Sequence, residues 1–179
     1  YYAHLSDMTA MPKNQMEVIA YHEGLPGHHM QISIAQELKG IPKFRTQARF
    51  TAYSEGWALY SEALAKEIPG TYEDPYNRFG QLTSEIWRAI RLVVDTGLHS
   101  KGWTEQQAID YFMQNSPEPL ESVTSEIQRY IVMPGQATSY KIGMLKIQEL
   151  RKRAEIALSD QFSLKVFHDK ILGGGALPL

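Results

Sequence analysis

Apolar residues recur at helical spacing along almost the whole chain, while the alternating pattern typical of β-strands is nearly absent. The connections between these periodic stretches are short, which favours helices packed as antiparallel neighbours. The pattern therefore predicts an all-α fold, a helical array. Helices are predicted over residues 14–39 (interrupted at Pro26-Gly27), 44–67, 75–98, 104–115, 120–132, 136–158 and 163–170.

The size and charge of the chain narrow the kinds of partner it can have. Its 179 residues, 43% of them hydrophobic, are enough to bury one core and predict one domain. The formal net charge of -2 offers no excess of positive charge for nucleic acid or an anionic membrane. No apolar run approaches the roughly 18 residues that cross a bilayer. We expect no nucleic-acid partner and no membrane-spanning segment, and the cellular location stays open.

Three histidines and a glutamate lie within AYHEGLPGHHM, residues 20–30. Because the chain has no cysteine, any metal site must use histidine or carboxylate ligands. Zinc peptidases pair a first histidine ligand with a neighbouring glutamate that takes a proton from the activated water. His22 and Glu23 have this arrangement. The isolated His4 and His168 are interpreted as structural.

The spacing of the second histidine departs from the usual pattern, which places it four residues after the first. That position is Pro26. In a straight helix His28 would lie roughly 240° around the axis from His22, and His29 roughly 10.5 Å further along it. Only a broken helix could bring either one back, and Pro26-Gly27 supplies a break. The alternative is a histidine-rich helix interruption that binds no metal.

A third ligand is expected from the next helix, in the segment YSEGWALYSE. Glu55 is the candidate, because a glutamate among aromatic and small residues is costly to bury unless it is paired or binds a metal. Glu62 lies seven residues later and could share the same face of the helix. Glu62 is therefore either a rival ligand or a partner to a histidine N–H.

Five segments resemble, in this order, the C-terminal part of the bacterial domain-of-unknown-function family 885: HEGLPGHHMQ, YSEGWALYSE, RLVVDTGLHSKGW, RYIVMPGQATSYKIG and GGGALPL. The resemblance runs over nearly the whole chain. That family is regarded as zincin-like and related to helical zinc peptidases such as thimet oligopeptidase and carboxypeptidase Taq. The resemblance implies that residues 1–179 form a single α-helical catalytic domain, the C-terminal half of a longer metallopeptidase whose N-terminal part is the other wall of the cleft.

The same resemblance implies a site in which His22, His28 and Glu55 bind Zn2+ and Glu23 is the general base. We prefer His28 to His29 as the second ligand, because a two-residue bulge in the helix would move His28 to the usual position. His29 would then support a ligand or contact the substrate, where it is a second candidate, beside Tyr140, for stabilising the oxyanion.

Two further segments carry candidate site residues. Arg91 is a candidate anchor for a substrate carboxylate, and Asp95 or His99 could support a ligand, although an Arg91–Asp95 pair that merely stabilises the helix is the alternative. In RYIVMPGQATSYKIG, Tyr140 is the candidate that stabilises an oxyanion. Gln136 is either a substrate contact or a helix cap.

These residues predict a zinc-dependent hydrolase that acts on peptide bonds through water activated by the metal. A related non-peptide amide would suit the same chemistry. A half-domain on its own is expected to hold zinc weakly and to hydrolyse poorly, because part of the cleft is missing. The alternative from another class is a metal-free helical scaffold or binding module that retains the zincin-like fold.

Overall fold

The computed structural model describes residues 11–179, which form helices and no strand. The predicted all-α class is confirmed. No helix in this range is long and apolar enough to cross a membrane. The eight α-helices within residues 11–179 are α1 (Met16–Glu23), α2 (His28–Glu37), α3 (Thr51–Leu64), α4 (Pro75–Ser100), α5 (Glu105–Asn115), α6 (Leu120–Val132), α7 (Gln136–Leu158) and α8 (Leu164–Leu172).

Most helix limits agree with the sequence prediction, but the predicted helix 44–67 is wrong in its first part. Residues Lys43–Thr46 form a short 3-10 turn, and α3 begins only at Thr51. Phe50 has extended backbone angles and separates the two. Phe44 is 69% exposed, so it has little surface to pack against among the described residues.

The first hydrophobic core lies where α3 crosses α7, around Trp57 and Tyr60. The two helices approach at a pair of glycines. A Cβ on Gly56 would lie 2.5 Å from the backbone of Gly143, so larger residues would force the helices apart. His168 packs in the same region, with Nε2 2.9 Å from the Tyr60 hydroxyl, whereas the other isolated histidine of the sequence, at position 4, lies outside the described residues.

A second core joins α4, α5 and α6, with Phe112 and Ile127 fully buried at its centre. Asp74 caps the start of α4, and Thr104 and Gln107 form a capping box at the start of α5. Because α4 also packs on α1 and α7, it connects this core to the region that contains the histidines.

Candidate metal centre

The helix break after Glu23 folds the chain back on itself. Residues 24–27, which include a cis peptide bond before Pro26, separate α1 from α2. A Cβ on Gly27 would lie 1.9 Å from the carbonyl oxygen of His22, so only glycine allows this close approach. As a result the rings of His22 and His28 meet edge to face, with centroids 4.9 Å apart. The break therefore brings His28 back beside His22, which a straight helix could not do.

The turn is held against α3 by two hydrogen bonds to the carbonyl oxygen of Pro26. Trp57 Nε1 donates across 2.8 Å, and Ser61 Oγ donates across 3.3 Å. Trp57 is fully buried. The histidine-bearing turn and the helix that carries Glu55 are thus joined by bonds that do not involve the candidate ligands.

His22, His28 and Glu55 form a compact group of potential metal ligands. Glu55 Oε2 lies 3.2 Å from His28 Nε2 and 3.8 Å from His22 Nε2, and one atom of each residue lies within 4.8 Å of the other two. No other group of this kind occurs among residues 11–179. In tetrahedral zinc, bonds of about 2.1 Å place ligand atoms about 3.4 Å apart. Two imidazoles and one carboxylate at this separation fit a zinc ion with small side-chain adjustments.

Glu62 lies behind His22, where it contacts the other ring nitrogen. His22 Nδ1 is 2.6 Å from Glu62 Oε1, and the second carboxylate oxygen accepts from Ser84 Oγ at 2.7 Å. Arg88 donates to Ser84 Oγ in turn. Because a carboxylate accepts, Nδ1 carries the proton and Nε2 is left on the side of Glu55. Of the two possibilities left open for Glu62, the geometry favours the partner of a histidine N–H.

Protonated His28 and ionised Glu55 stabilise each other's charge. Burial acts to lower the pKa of His28, but the hydrogen bond and the charge of Glu55, with a smaller contribution from Glu23, raise it above its ordinary value. Burial likewise acts to raise the pKa of Glu55, but His28 and His22 hold it below its ordinary value. This position therefore favours positive charge beside the Glu55 carboxylate, supplied by a proton on His28 or by a metal ion in its place.

Tyr140 borders the group on the side of α7. Its ring stacks against His22 at 6.3 Å between centroids, and its hydroxyl lies near enough to Glu55 to help lower the pKa of that carboxyl. Gln136 Nε2 donates to the same hydroxyl at 3.4 Å. The phenol is thus next to the candidate ligands.

Glu23 and His29 are both exposed. Glu23 precedes the turn in the sequence, and His29 follows it. Glu23 is the last residue of α1, and its charge contributes to the raised pKa of His28. His29 lies outside the group of potential ligands, which includes His28 instead. The fold therefore brings His28, the histidine that we preferred from the sequence, beside His22 and Glu55.

Arg91 is buried beneath Tyr140, with 4% of its surface exposed. Its guanidinium lies 4.6 Å from the centre of the Tyr140 ring. It donates to the Tyr130 hydroxyl and to Glu126, both at 2.8 Å, and not to Asp95. The alternative Arg91–Asp95 pair is therefore wrong, and burial argues against a direct contact between Arg91 and a substrate carboxylate.

Asp95 and His99 hold the turn before α7 and do not reach the candidate ligands. An Asp95 carboxylate oxygen accepts from the backbone N–H of Gly135 at 3.1 Å, and His99 Nε2 lies 2.9 Å from the carbonyl oxygen of Tyr130. Gly135 itself occupies the N-cap position of α7, without a side-chain cap. Gln136 is therefore not a helix cap, and Asp95 and His99 hold the turn from which α7 begins.

A groove with a volume of about 720 Å³ adjoins the group at Glu55. It lies between α2, the start of α3 and the turn that precedes α3. Its lining includes Gln136, the apolar Ile32, Ala35 and Phe50, and the basic Arg45 and Arg49. Neither this groove nor Ser84 could be predicted from the sequence, because neither follows a local pattern in the chain.

Comparisons with known proteins confirm the family that the sequence resembles. The family model described as "Bacterial protein of unknown function (DUF885)" matches residues 1–179. The crystal structure of a "putative lipoprotein" from Colwellia psychrerythraea is 48% identical, with a TM-score of 0.94, over 97% of this chain and 30% of that one. A "putative lipoprotein of unknown function" from Shewanella oneidensis is 27% identical, with a TM-score of 0.80, over 88% of this chain and 29% of that one. No curated protein matches.

Proposed function

The chain belongs to the bacterial family of unknown function DUF885, and we propose that it is the metal-binding catalytic part of a zinc-dependent hydrolase of peptide or related amide bonds. The observation that carries this proposal is the convergence of His22, His28 and Glu55 within 4.8 Å. The zincin-like relationship and the HEGLPGHH signature suggested by the sequence belong to the same proposal.

The donor set favours zinc over the other common divalent cations. Calcium and magnesium prefer oxygen ligands throughout, whereas two imidazoles and one carboxylate are a common catalytic zinc set that leaves a fourth position open. Zinc bound there would polarise a substrate carbonyl and lower the pKa of water. Glu62 supports the assignment, because a carboxylate on the far ring nitrogen of a ligand histidine orients the ring and makes it a stronger donor.

The side chains around the group supply the remaining steps of hydrolysis. Glu23 is exposed and forms no hydrogen bond or ion pair within residues 11–179, so its carboxylate can accept the proton of the attacking water. When the carbon–nitrogen bond breaks, the same proton passes to the leaving amine. The Tyr140 hydroxyl donates a hydrogen bond to the oxyanion that forms on the carbonyl oxygen.

The proposal extends to a longer protein. The chain spans about 30% of the length of the Colwellia protein and 29% of the Shewanella protein. We propose that a further, N-terminal part of the protein forms the other wall of the cleft and binds the rest of a peptide substrate. That part would also exclude water from the site, which strengthens the interactions of charged groups.

A second candidate function is a metal-free helical binding module. The observation in its favour is that His28 and Glu55 already form an ion pair at 3.2 Å, so the site is electrostatically satisfied without a metal. Under this interpretation the group stabilises the turn after α1 and catalyses nothing.

Zinc content, measured by elemental analysis of purified protein, tests the proposal. In a longer form of the protein we expect close to one zinc per chain in the wild type and in His29→Ala, and a loss of zinc in His22→Ala, His28→Ala and Glu55→Ala. His29→Ala is the matched control, because it removes a neighbouring imidazole that lies outside the group. Absence of zinc from the wild type, in this chain and in a longer form of the protein, would contradict the hydrolase and leave the binding module.

Hydrolysis is tested separately in variants that still bind zinc. Glu23→Gln is expected to retain zinc and to lose about 10²- to 10⁴-fold in turnover of a peptide library, because it removes the general base. Full activity in Glu23→Gln would show that another group accepts the proton.

A further inference from the structure

We propose that the groove beside Glu55 binds a free carboxylate of the substrate through Arg45 and Arg49. This inference rests on the proposed function, since it names the class of substrate for the same site. The groove extends from Glu55 and Gln136 to the two arginines. Its volume of about 720 Å³ lies within the range of roughly 300–1,000 Å³ that encloses a small ligand.

The two arginines differ from the other arginines of the chain in having no partner among the residues that the structure describes. Arg45 and Arg49 form no ion pair and no side-chain hydrogen bond within residues 11–179. The other six arginines all have a partner: Arg78, Arg88, Arg91, Arg129, Arg151 and Arg153. A guanidinium presents a planar fork of donors that matches a carboxylate. The guanidinium groups of Arg45 and Arg49 are therefore both available to a ligand in the groove.

The charge of the groove selects against a free amino terminus. Among the lining residues Glu55 is the one acidic group, and it already pairs with His28. Two cations remain without compensation, and a bound divalent metal would add to them. An ammonium group would be repelled, whereas a carboxylate would be attracted. A peptide entering this groove is therefore expected to present an acid there.

The distances along the chain match a short extension beyond the scissile bond. Glu55 lies four residues after the start of α3, which is about 6 Å along the helix axis, and Arg49 lies two residues before that start. The two positions are therefore roughly 6–13 Å apart along the chain, a length that two to four extended peptide residues span. Ile32 and Phe50 offer an apolar wall in between. The substrate class is a peptide with an apolar side chain and a carboxylate within about four residues of the scissile amide.

Direct binding of small probes to the Glu23→Gln protein tests the inference, because turnover is suppressed in this variant. The probes are N-acetyl-Ala-Phe with a free carboxylate, its C-terminal amide, and N-acetyl-Asp-Phe-amide, and the measurement is isothermal titration calorimetry. We expect at least one of the two acidic probes to bind about 10- to 100-fold more tightly than the neutral amide, as for charge-assisted hydrogen bonds. The tighter of the two acids identifies the source of the carboxylate, a chain terminus or an acidic side chain.

Substitution of the arginines completes the test. Arg45→Gln and Arg49→Gln should each weaken binding of the acidic probe about tenfold and leave the neutral probe unchanged, while Arg45→Lys and Arg49→Lys should lose less. Arg153→Gln is the matched control, since Arg153 is 69% exposed in its side chain and lies outside the groove. Equal affinity for acidic and neutral probes, or unchanged binding in the Arg45→Gln/Arg49→Gln double variant with a wild-type melting temperature, would overturn the inference.

Repeating the titrations with zinc-loaded and zinc-free protein separates this inference from the proposed function. Binding of the acidic probe that depends on the arginines, in a protein that takes up no zinc, would support the groove and contradict the hydrolase. Zinc uptake and peptide hydrolysis without preference for an acid would support the hydrolase and overturn the groove.

Discussion

Replacing Glu62 by glutamine removes the negative charge behind His22 and keeps the size of the side chain. Glu62 is 1% exposed and accepts from two donors, His22 Nδ1 at 2.6 Å and Ser84 Oγ at 2.7 Å. The amide has one oxygen that can accept and one NH2 group that cannot. One of the two buried donors therefore loses its acceptor in Glu62→Gln.

Two magnitudes follow from this geometry. Loss of such a carboxylate partner typically weakens metal binding by about 10- to 100-fold, which corresponds to about 1.4–2.8 kcal/mol. The orphaned buried donor should cost the metal-free protein about 1–3 kcal/mol of unfolding free energy. Glu62→Gln is therefore expected to weaken zinc binding and to lower stability by comparable amounts. The same substitution of a surface glutamate should change neither quantity.

The assay has two parts. Zinc affinity is measured by competition with a chromogenic chelator at pH 7, and stability by urea unfolding of the metal-free protein. Glu149→Gln is the control, because Glu149 is half exposed and pairs only with lysine and arginine on its own helix. A zinc Kd within twofold of the wild type in Glu62→Gln, alongside lost binding in Glu55→Ala, would refute the role of Glu62 in orienting His22.

Three further predictions concern the turn, the oxyanion and the acid stability of the fold. Gly27→Ala should lose zinc and unfold at lower temperature, because its Cβ would lie 1.9 Å from the carbonyl oxygen of His22; a wild-type Tm with full zinc content would contradict the close approach. Tyr140→Phe should retain zinc and lose about 10²- to 10³-fold in kcat, as for loss of an oxyanion donor; steady-state kinetics with unchanged kcat would exclude it from that role. Burial acts to raise the pKa of Glu126, but the charges of Arg91 and Arg129 hold it below its ordinary value of 4.5. A lowered folded-state pKa means that ionised Glu126 stabilises the fold above about pH 4.5 and that this stability is lost as the pH falls further. Urea unfolding between pH 7 and pH 3 should therefore show a smaller loss of stability in Glu126→Gln than in the wild type, and parallel curves would contradict the ion pair.

Much of the fold could be predicted from the sequence, because helical periodicity and helix ends are local properties. The limits of α4 to α8 agree with the prediction to within two residues. The first part of the predicted helix 44–67 failed for a non-local reason. Apolar spacing there resembles an amphipathic helix, but whether a surface exists to cover Phe44 depends on the rest of the molecule.

The candidate site, like the fold, could be predicted from the sequence only in part. The sequence alone places Glu23 directly beside His22, marks Pro26-Gly27 as a break, and points to Glu55 on the next helix. These are statements about neighbours in the chain or about residue types that are costly to bury. They were enough to propose a metal and a general base.

Only the tertiary structure decides which side chains meet. The close approach at Gly27 brings His28 rather than His29 beside His22, and the packing of α3 on α1 places Glu62 on the far ring nitrogen. The groove of Arg45 and Arg49 is assembled from separate elements in the same way. The physical reason is that hydrogen bonds and metal–ligand bonds act over about 2–3 Å, whereas sequence patterns specify which face of a helix a residue occupies and not what lies opposite.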